Sequence, residues 1–252
     1  MIREPDSRRS QTEHFPNNFK PVETPESVRA IYQRIRSIVE IDTGIPSELS
    51  PNETRKKRYY VVEGFEDVLH TPLGGGPGDW YNMQANIYEL TLSLALSQHP
   101  AVNDILAWKG IAKDAVKHLR EHQVLSGLRI IDLGCGKLPS FALAAHTLGA
   151  SVYTADADDL NRNYKTQLDG HVIVDFNQPD AASIIQRVTG SNFDLVTEHI
   201  ITPVSSSYAH VEKPKPATIV SIAGNLLKQG GYLYYTPDIH SAEGMQLLRK
   251  ID

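Results

Sequence analysis

The segment with the most chemical potential is Asp132-Leu133-Gly134-Cys135-Gly136-Lys137-Leu138-Pro139-Ser140. A β-rich run ending in an acid, then Gly-x-Gly, then a helix start brings bare backbone close to a ligand and points helix N–H groups at it. That is a setting for a nucleotide-like cofactor. A dinucleotide fingerprint would need a third glycine at 139, where this chain has proline, so a nicotinamide cofactor is disfavoured. Cys135 is the single cysteine, which excludes an intramolecular disulfide and a Cys-rich zinc site; no metal is expected. The other charged constellation is Asp156-Ala157-Asp158-Asp159, at the end of the next β-rich run. An acid in that place of a doubly wound fold accepts ribose hydroxyls or simply forms a turn; the cluster leaves the choice among three carboxylates open, with strand periodicity favouring Asp156. The basic run Arg55-Lys56-Lys57-Arg58, beside Tyr59 and Tyr60, reads as a solvated segment leading into a strand. With a net charge of -5 there is no basic excess for phosphate contacts, so nucleic acid is not an expected partner.

The elements that must hold these residues follow from pattern. With 252 residues, 40% hydrophobic and 22% charged, the chain is globular and long enough to bury a core. Residues 1–25 carry Pro5, Pro16, Pro21 and Pro25 and are expected to be a poorly ordered arm. Arg8 and Arg9 have no apolar stretch behind them, and the longest apolar run, Leu90 to Leu96, is broken by Thr91 and Ser93; a cytoplasmic protein without a membrane span is expected. Val28, Ile31, Ile35, Ile38 and Val39 share one face of a predicted helix over 27–40, and Tyr59 to Val62 reads as a strand. Gly74 to Gly78 is a breaker and candidate hinge, with Asp79 as the expected N-cap of a helix from Trp80 to Ser97; a second helical stretch runs from Val102 to His122. Beyond residue 125 the strands Arg129–Asp132, Ser151–Ala155, His171–Val174, Phe193–Val196 and Gly231–Tyr235 alternate with helices at 140–148, 180–189 and 216–228. This is the rhythm of an α/β fold with a doubly wound, mostly parallel sheet.

In its ordered motifs the chain resembles the class I S-adenosylmethionine-dependent methyltransferases. The first motif, acid-x-Gly-x-Gly, is Asp132 to Gly136, with Leu138 in place of a third glycine. Asp156 matches the ribose-binding acid, Val172 to Asn177 the strand whose acid, Asp175, receives the adenine amino group, and Phe176 the residue giving ring contact to adenine. Phe193 to His199 resembles the fourth motif and Leu226 to Leu233 the helix-turn-strand pattern LLKxGG. The resemblance implies a Rossmann-like core over 125–252, S-adenosylmethionine as cofactor, and Asp132, Gly134, Cys135, Gly136, Asp156, Ala157, Asp175, Phe176 and Glu198 as its binding residues, Glu198 toward the cofactor amine. His199 is the candidate base among His199, Glu198, Tyr208, His210 and His240, which stand in or beside the loops after the fourth and fifth strands.

The resemblance also narrows the acceptor. The Asn/Asp-Pro-Pro-Tyr signature of amino-directed nucleic-acid enzymes is absent after the fourth strand, and Cys135 lies in the cofactor loop, so a small molecule or a peptide is the expected acceptor. Residues 26–124 are expected to form a mostly helical extension and lid, with Trp80 and Tyr81 either closing over the site or anchoring the helices. The family's helix and antiparallel hairpin after the fifth strand have no room in 236–252, which implies a shortened C-terminal end and an open strand edge. That edge would be covered by Arg58 to Val62 or by a second copy in a homodimer. A methyltransferase-fold binding or scaffolding protein without turnover is the alternative reading, a nicotinamide oxidoreductase the second.

Overall fold

The computed structural model describes residues 18–46, 56–72, 77–198, 214–235 and 246–251. Branched and aromatic runs make the parallel strands β5 (Arg129–Leu133), β6 (Ser151–Asp156), β7 (Gly170–Ile173), β8 (Phe193–Glu198) and β9 (Leu227–Tyr235). With β1 (Phe19–Pro21) and β10 (Gln246–Lys250) they form one seven-stranded sheet in the order β1-β10-β9-β8-β5-β6-β7. β5 has β6 on one side and β8 on the other, both parallel, so the strand order switches there and a crevice opens at the strands' carboxyl ends.

Helices cover both faces. On one, α7 (Ala181–Thr189) and α8 (Pro216–Leu226) pack over Ile131, Leu133, Val172 and Val196. On the other, α5 (Ser140–Thr147) packs with α1 (Glu26–Ile35), α2 (Pro77–Ser97), α3 (Pro100–Leu106) and α4 (Ala112–Glu121) over Ile130, Val152 and Leu195. A short helix α6 (Arg162–Lys165) follows β6. α2 is apolar on nearly every side and buried accordingly, so its polar residues bond inward: Thr91 donates to the Tyr88 carbonyl at 2.7 Å and Ser93 to that of Glu89 at 2.8 Å.

Several expectations need correction. α1 ends at Ile35 instead of continuing to residue 40, because Ile38 and Val39 start β2 (Ile38–Pro46). This strand pairs with β3 (Lys56–Val62), and β3 with β4 (His70–Pro72), in a separate antiparallel sheet. The extension is thus helical and sheet together. α2 begins at Pro77, a residue whose fixed φ suits a first helical position, which puts Asp79 inside the first turn and not at the cap. The stretch from 102 to 122 is two helices broken at 107–111.

The largest correction concerns the edge of β9. It is not open, and Arg58 to Val62 do not cover it. β10 pairs with β9 antiparallel, Leu248 opposite Leu233, and β1 pairs antiparallel with β10, Phe19 opposite Lys250. Two strands thus lie beyond the fifth parallel strand, where an open edge is expected from the sequence, one from each end of the chain. A homodimer through that edge loses its premise. Phe19–Pro21, expected in an unordered arm, is ordered because Phe19 buries its ring against the α8 face.

Candidate active site

Three strand ends build the site. β5 runs into Gly134 and Gly136, whose φ of 75° and 64° lie in the left-handed region that glycine enters without a Cβ penalty. The Gly134 N–H donates to the Ala155 carbonyl at 2.8 Å, and the Gly136 N–H to Asp156 Oδ2 at 2.8 Å, so the glycine loop is tied to the end of β6. The other oxygen, Asp156 Oδ1, accepts from the Asp158 N–H at 3.0 Å. Each carboxylate oxygen keeps a second lone pair for a ligand hydroxyl. Burial raises the Asp156 pKa, which the two N–H donors counter and the neighbouring carboxylates Asp158 and Asp132 reinforce. Among the described residues, its two chain neighbours aside, no atom would lie within 4 Å of a Cβ on Gly136, so the space above the loop is open there.

Beneath the loop a polar row crosses the sheet. Register places His171, Thr154, Asp132, Thr197 and Tyr234 side by side on β7, β6, β5, β8 and β9, all facing the α2 and α5 layer. Thr197 donates to Asp132 Oδ1 at 3.1 Å, and Thr154 Oγ1 lies 2.9 Å from His171 Nδ1. Cys135 is buried over this row. Burial, with Asp132 and Asp156 next, pushes its thiol well up, which keeps it protonated and unreactive.

Of the remaining expected residues, Ala157 is exposed on the loop after β6, and Asp175 heads a turn in which its Oδ1 accepts from the Asn177 N–H at 2.9 Å. Phe176 is buried in the α7 and α8 core, where it anchors that turn. Glu198 is buried at the end of β8; the phenol of Tyr234 is raised well above its usual value mainly by burial, then by Glu89, with Glu198 a smaller contributor. His199, Tyr208, His210, His240 and the Gly74–Gly76 stretch lie outside the described residues, as does the side chain of Tyr81. Trp80 packs edge-on to Tyr60 of β3, ring centroids 5.4 Å apart, as an anchor does. Arg58 pairs with Glu40 across the β2–β3 surface at 3.2 Å.

Sequence reasoning missed the groups that secure the loop from a distance. α5 has no side-chain cap of its own; Asn86 of α2 supplies one, its Oδ1 accepting from the Phe141 N–H at 3.1 Å, while Ser140 donates to the His70 carbonyl at 2.6 Å. An asparagine in an apolar helix is the signal that was available for Asn86.

The strand order, the glycine loop and the acid after β6 together decide the family-level likeness. This chain is similar to class I S-adenosylmethionine-dependent methyltransferases. It is 29% identical over 123 residues to the ubiquinone biosynthesis O-methyltransferase of Nitrosococcus oceani, covering 48% of each chain. To the protein of the same name from Burkholderia vietnamiensis it is 32% identical over 118 residues, 46% of each. The chain thus spans about half the length of these curated relatives. No family model matches. Among solved structures, the crystal structure of AibC aligns at a TM-score of 0.29 and 19% identity over 46% of this chain and 33% of that one, too slight a likeness to bear on the fold. Among the described residues, no helix is long and apolar enough to cross a membrane.

Proposed function

We propose that this chain binds S-adenosylmethionine in the crevice at the carboxyl ends of β5, β6 and β8 and transfers its methyl group to a small-molecule or peptide acceptor. The observation that carries the reading is the glycine loop fastened to Asp156 at the strand-order switch, with open space above Gly136. The residues fit such a ligand. Asp156 offers its free lone pairs to the two ribose hydroxyls, with Ala157 beside it and Gly134, Cys135 and Gly136 furnishing backbone at close range. Asp175 takes the adenine amino group, Phe176 steadies that turn from the core, and Glu198 takes the ammonium of the methionine part. Asp132 holds the end of β5 in place through Thr197. An edge bearing Asp156 and Glu198 also complements a ligand with two cationic centres.

When bound, the cofactor supplies an activated sulfonium methyl group. The chain's own work is to orient the acceptor and exclude water, for which effective molarities correspond to as much as ~7–11 kcal/mol. His199 is assigned the acceptor's proton where the acceptor is a hydroxyl or ammonium. The scaffold alternative drew its support from missing strands after the fifth, and β10 and β1 remove that support. Calorimetric titration with S-adenosylhomocysteine, then with NAD, tests the cofactor; binding of NAD alone would overturn the reading. A tritiated methyl donor offered with pooled phenols, amines and peptides tests turnover, and label transfer that disappears in His199→Ala is the expected result.

A further inference from the structure

We propose that His171 is a positioning residue for the ribose-binding loop: its neutral imidazole holds Asp158, and through it Asp156, in the binding arrangement, so cofactor affinity falls when this ring is protonated. The inference rests on the assignment of Asp156 to the ribose. His171 stands opposite Thr154 on the neighbouring strand, under the 156–159 loop, with its side chain 1% exposed. Nδ1 lies 2.9 Å from Thr154 Oγ1 and Nε2 lies 2.9 Å from the Asp158 carbonyl oxygen. A carbonyl can only accept, so Nε2 carries the hydrogen; in the neutral ring Nδ1 is then the acceptor of the buried Thr154 hydroxyl. The same Asp158 donates its N–H to Asp156 Oδ1. One imidazole therefore fixes the residue that orients the carboxylate, and Gly136 completes the chain on the other oxygen.

Protonation disturbs this arrangement at two points. A hydrogen on Nδ1 faces the Thr154 hydroxyl, which must turn from donor to acceptor within a closed space shared with the Cys135 thiol. The charge also attracts Asp159 Oδ1, 3.9 Å from Nε2, and so pulls the 156–159 loop toward the ring while Nε2 keeps its bond to the Asp158 carbonyl. The charged groups facing the ring are Asp156 and Asp159 from the loop and Lys165 from α6, the last held by Asp159. Burial is the largest influence and depresses the imidazole pKa, Lys165 adds to it, and the carboxylates and the Asp158 carbonyl oppose it. At neutral pH the ring is uncharged and the loop is set.

The test compares wild type with His171→Gln, which keeps an N–H donor near the Nε2 position, and His171→Phe, which keeps bulk and removes both hydrogen bonds. S-adenosylhomocysteine binding is measured by calorimetry at pH about 7.5 and about 5. Wild type is expected to weaken about tenfold or more at the lower pH, and His171→Phe to be weaker by about tenfold already at the higher one. His171→Gln should bind like wild type at the higher pH and fall off distinctly less, the remaining fall being that of Asp156, common to both. Parallel pH profiles in wild type and the glutamine variant would overturn the proposal, even where the phenylalanine variant fails to fold. Hydrogen exchange on the unliganded proteins supplies an arm independent of the cofactor: the Asp158 amide should lose protection in His171→Phe and keep it in His171→Gln. Unchanged protection in the phenylalanine variant counts against His171. If wild type binds no S-adenosylhomocysteine at any pH, the cofactor reading falls and the exchange result alone judges the loop.

Discussion

Asp156 and Gly136 are the two residues on which the cofactor reading can be broken separately. Asp156→Ala removes charge-assisted hydrogen bonds worth ~1.5–3 kcal/mol, so S-adenosylhomocysteine should bind roughly ten- to a hundredfold more weakly by calorimetry. Asp158→Ala is the control, because Asp158 serves the site through its backbone N–H and carbonyl, which alanine keeps. Gly136→Val tests the loop differently. Its φ of 64° makes any side chain strained, at about 1–2 kcal/mol, yet among the described residues beyond its two neighbours no atom opposes the new Cβ. The variant should fold with a modestly lowered Tm and show no thermal shift with S-adenosylhomocysteine; a retained shift would move the cofactor elsewhere.

At the scale of elements, the decisive contact is between α2 and α5. The helix after the glycine loop starts behind Pro139 without a cap, and the side chain that satisfies its Phe141 N–H comes from the extension. Asn86→Leu leaves that buried donor without a partner and should cost about 1–3 kcal/mol in urea denaturation, although leucine suits the apolar surroundings. A cost near zero would show the cap to be dispensable. Trp80 belongs to the same extension, and its edge contact with Tyr60 makes it an anchor between α2 and the small sheet. In a Trp108→Phe background, Trp80 emission should therefore stay flat as S-adenosylhomocysteine saturates the protein; a large change would restore the closing lid.

For the molecule as a whole, both the sheet and its pH dependence are open to measurement. Tyr232 to Tyr234 pair with β8 on one side and Tyr232 to Tyr235 with β10 on the other, so their amides should resist exchange equally at high and low protein concentration. Protection that vanished on dilution would point to a second copy as the cover. Burial lowers the pKa of both His70 and His171, so the unfolded chain takes up protons before the folded one does. Stability from these groups is complete above the unfolded value of about 6.5 and declines as pH falls through the depressed folded values. Asp156, raised by burial, acts in the opposite sense as pH passes its own folded value. Urea midpoints should accordingly drop between pH about 7.5 and about 5.5, less so in His171→Gln.

The sequence by itself determined the parallel strands, their helices, the glycine loop and the acid after β6. Each is a local matter: strand alternation, helical periodicity and left-handed backbone are properties of neighbouring residues. Tertiary structure decided the rest. Phe19–Pro21 carries no strand signal beyond three residues among prolines, and it becomes one because β10 offers a free edge and α8 a place for the Phe19 ring. Val39 fits a helical face on paper, but pairing with Val61 keeps it in a strand. Asn86 and His171 read as an odd polar residue in an apolar helix and an unremarked residue at a strand start. Their partners, Phe141 and Asp158, lie far along the chain or across a loop, and a hydrogen bond between such positions exists only once packing has closed the distance.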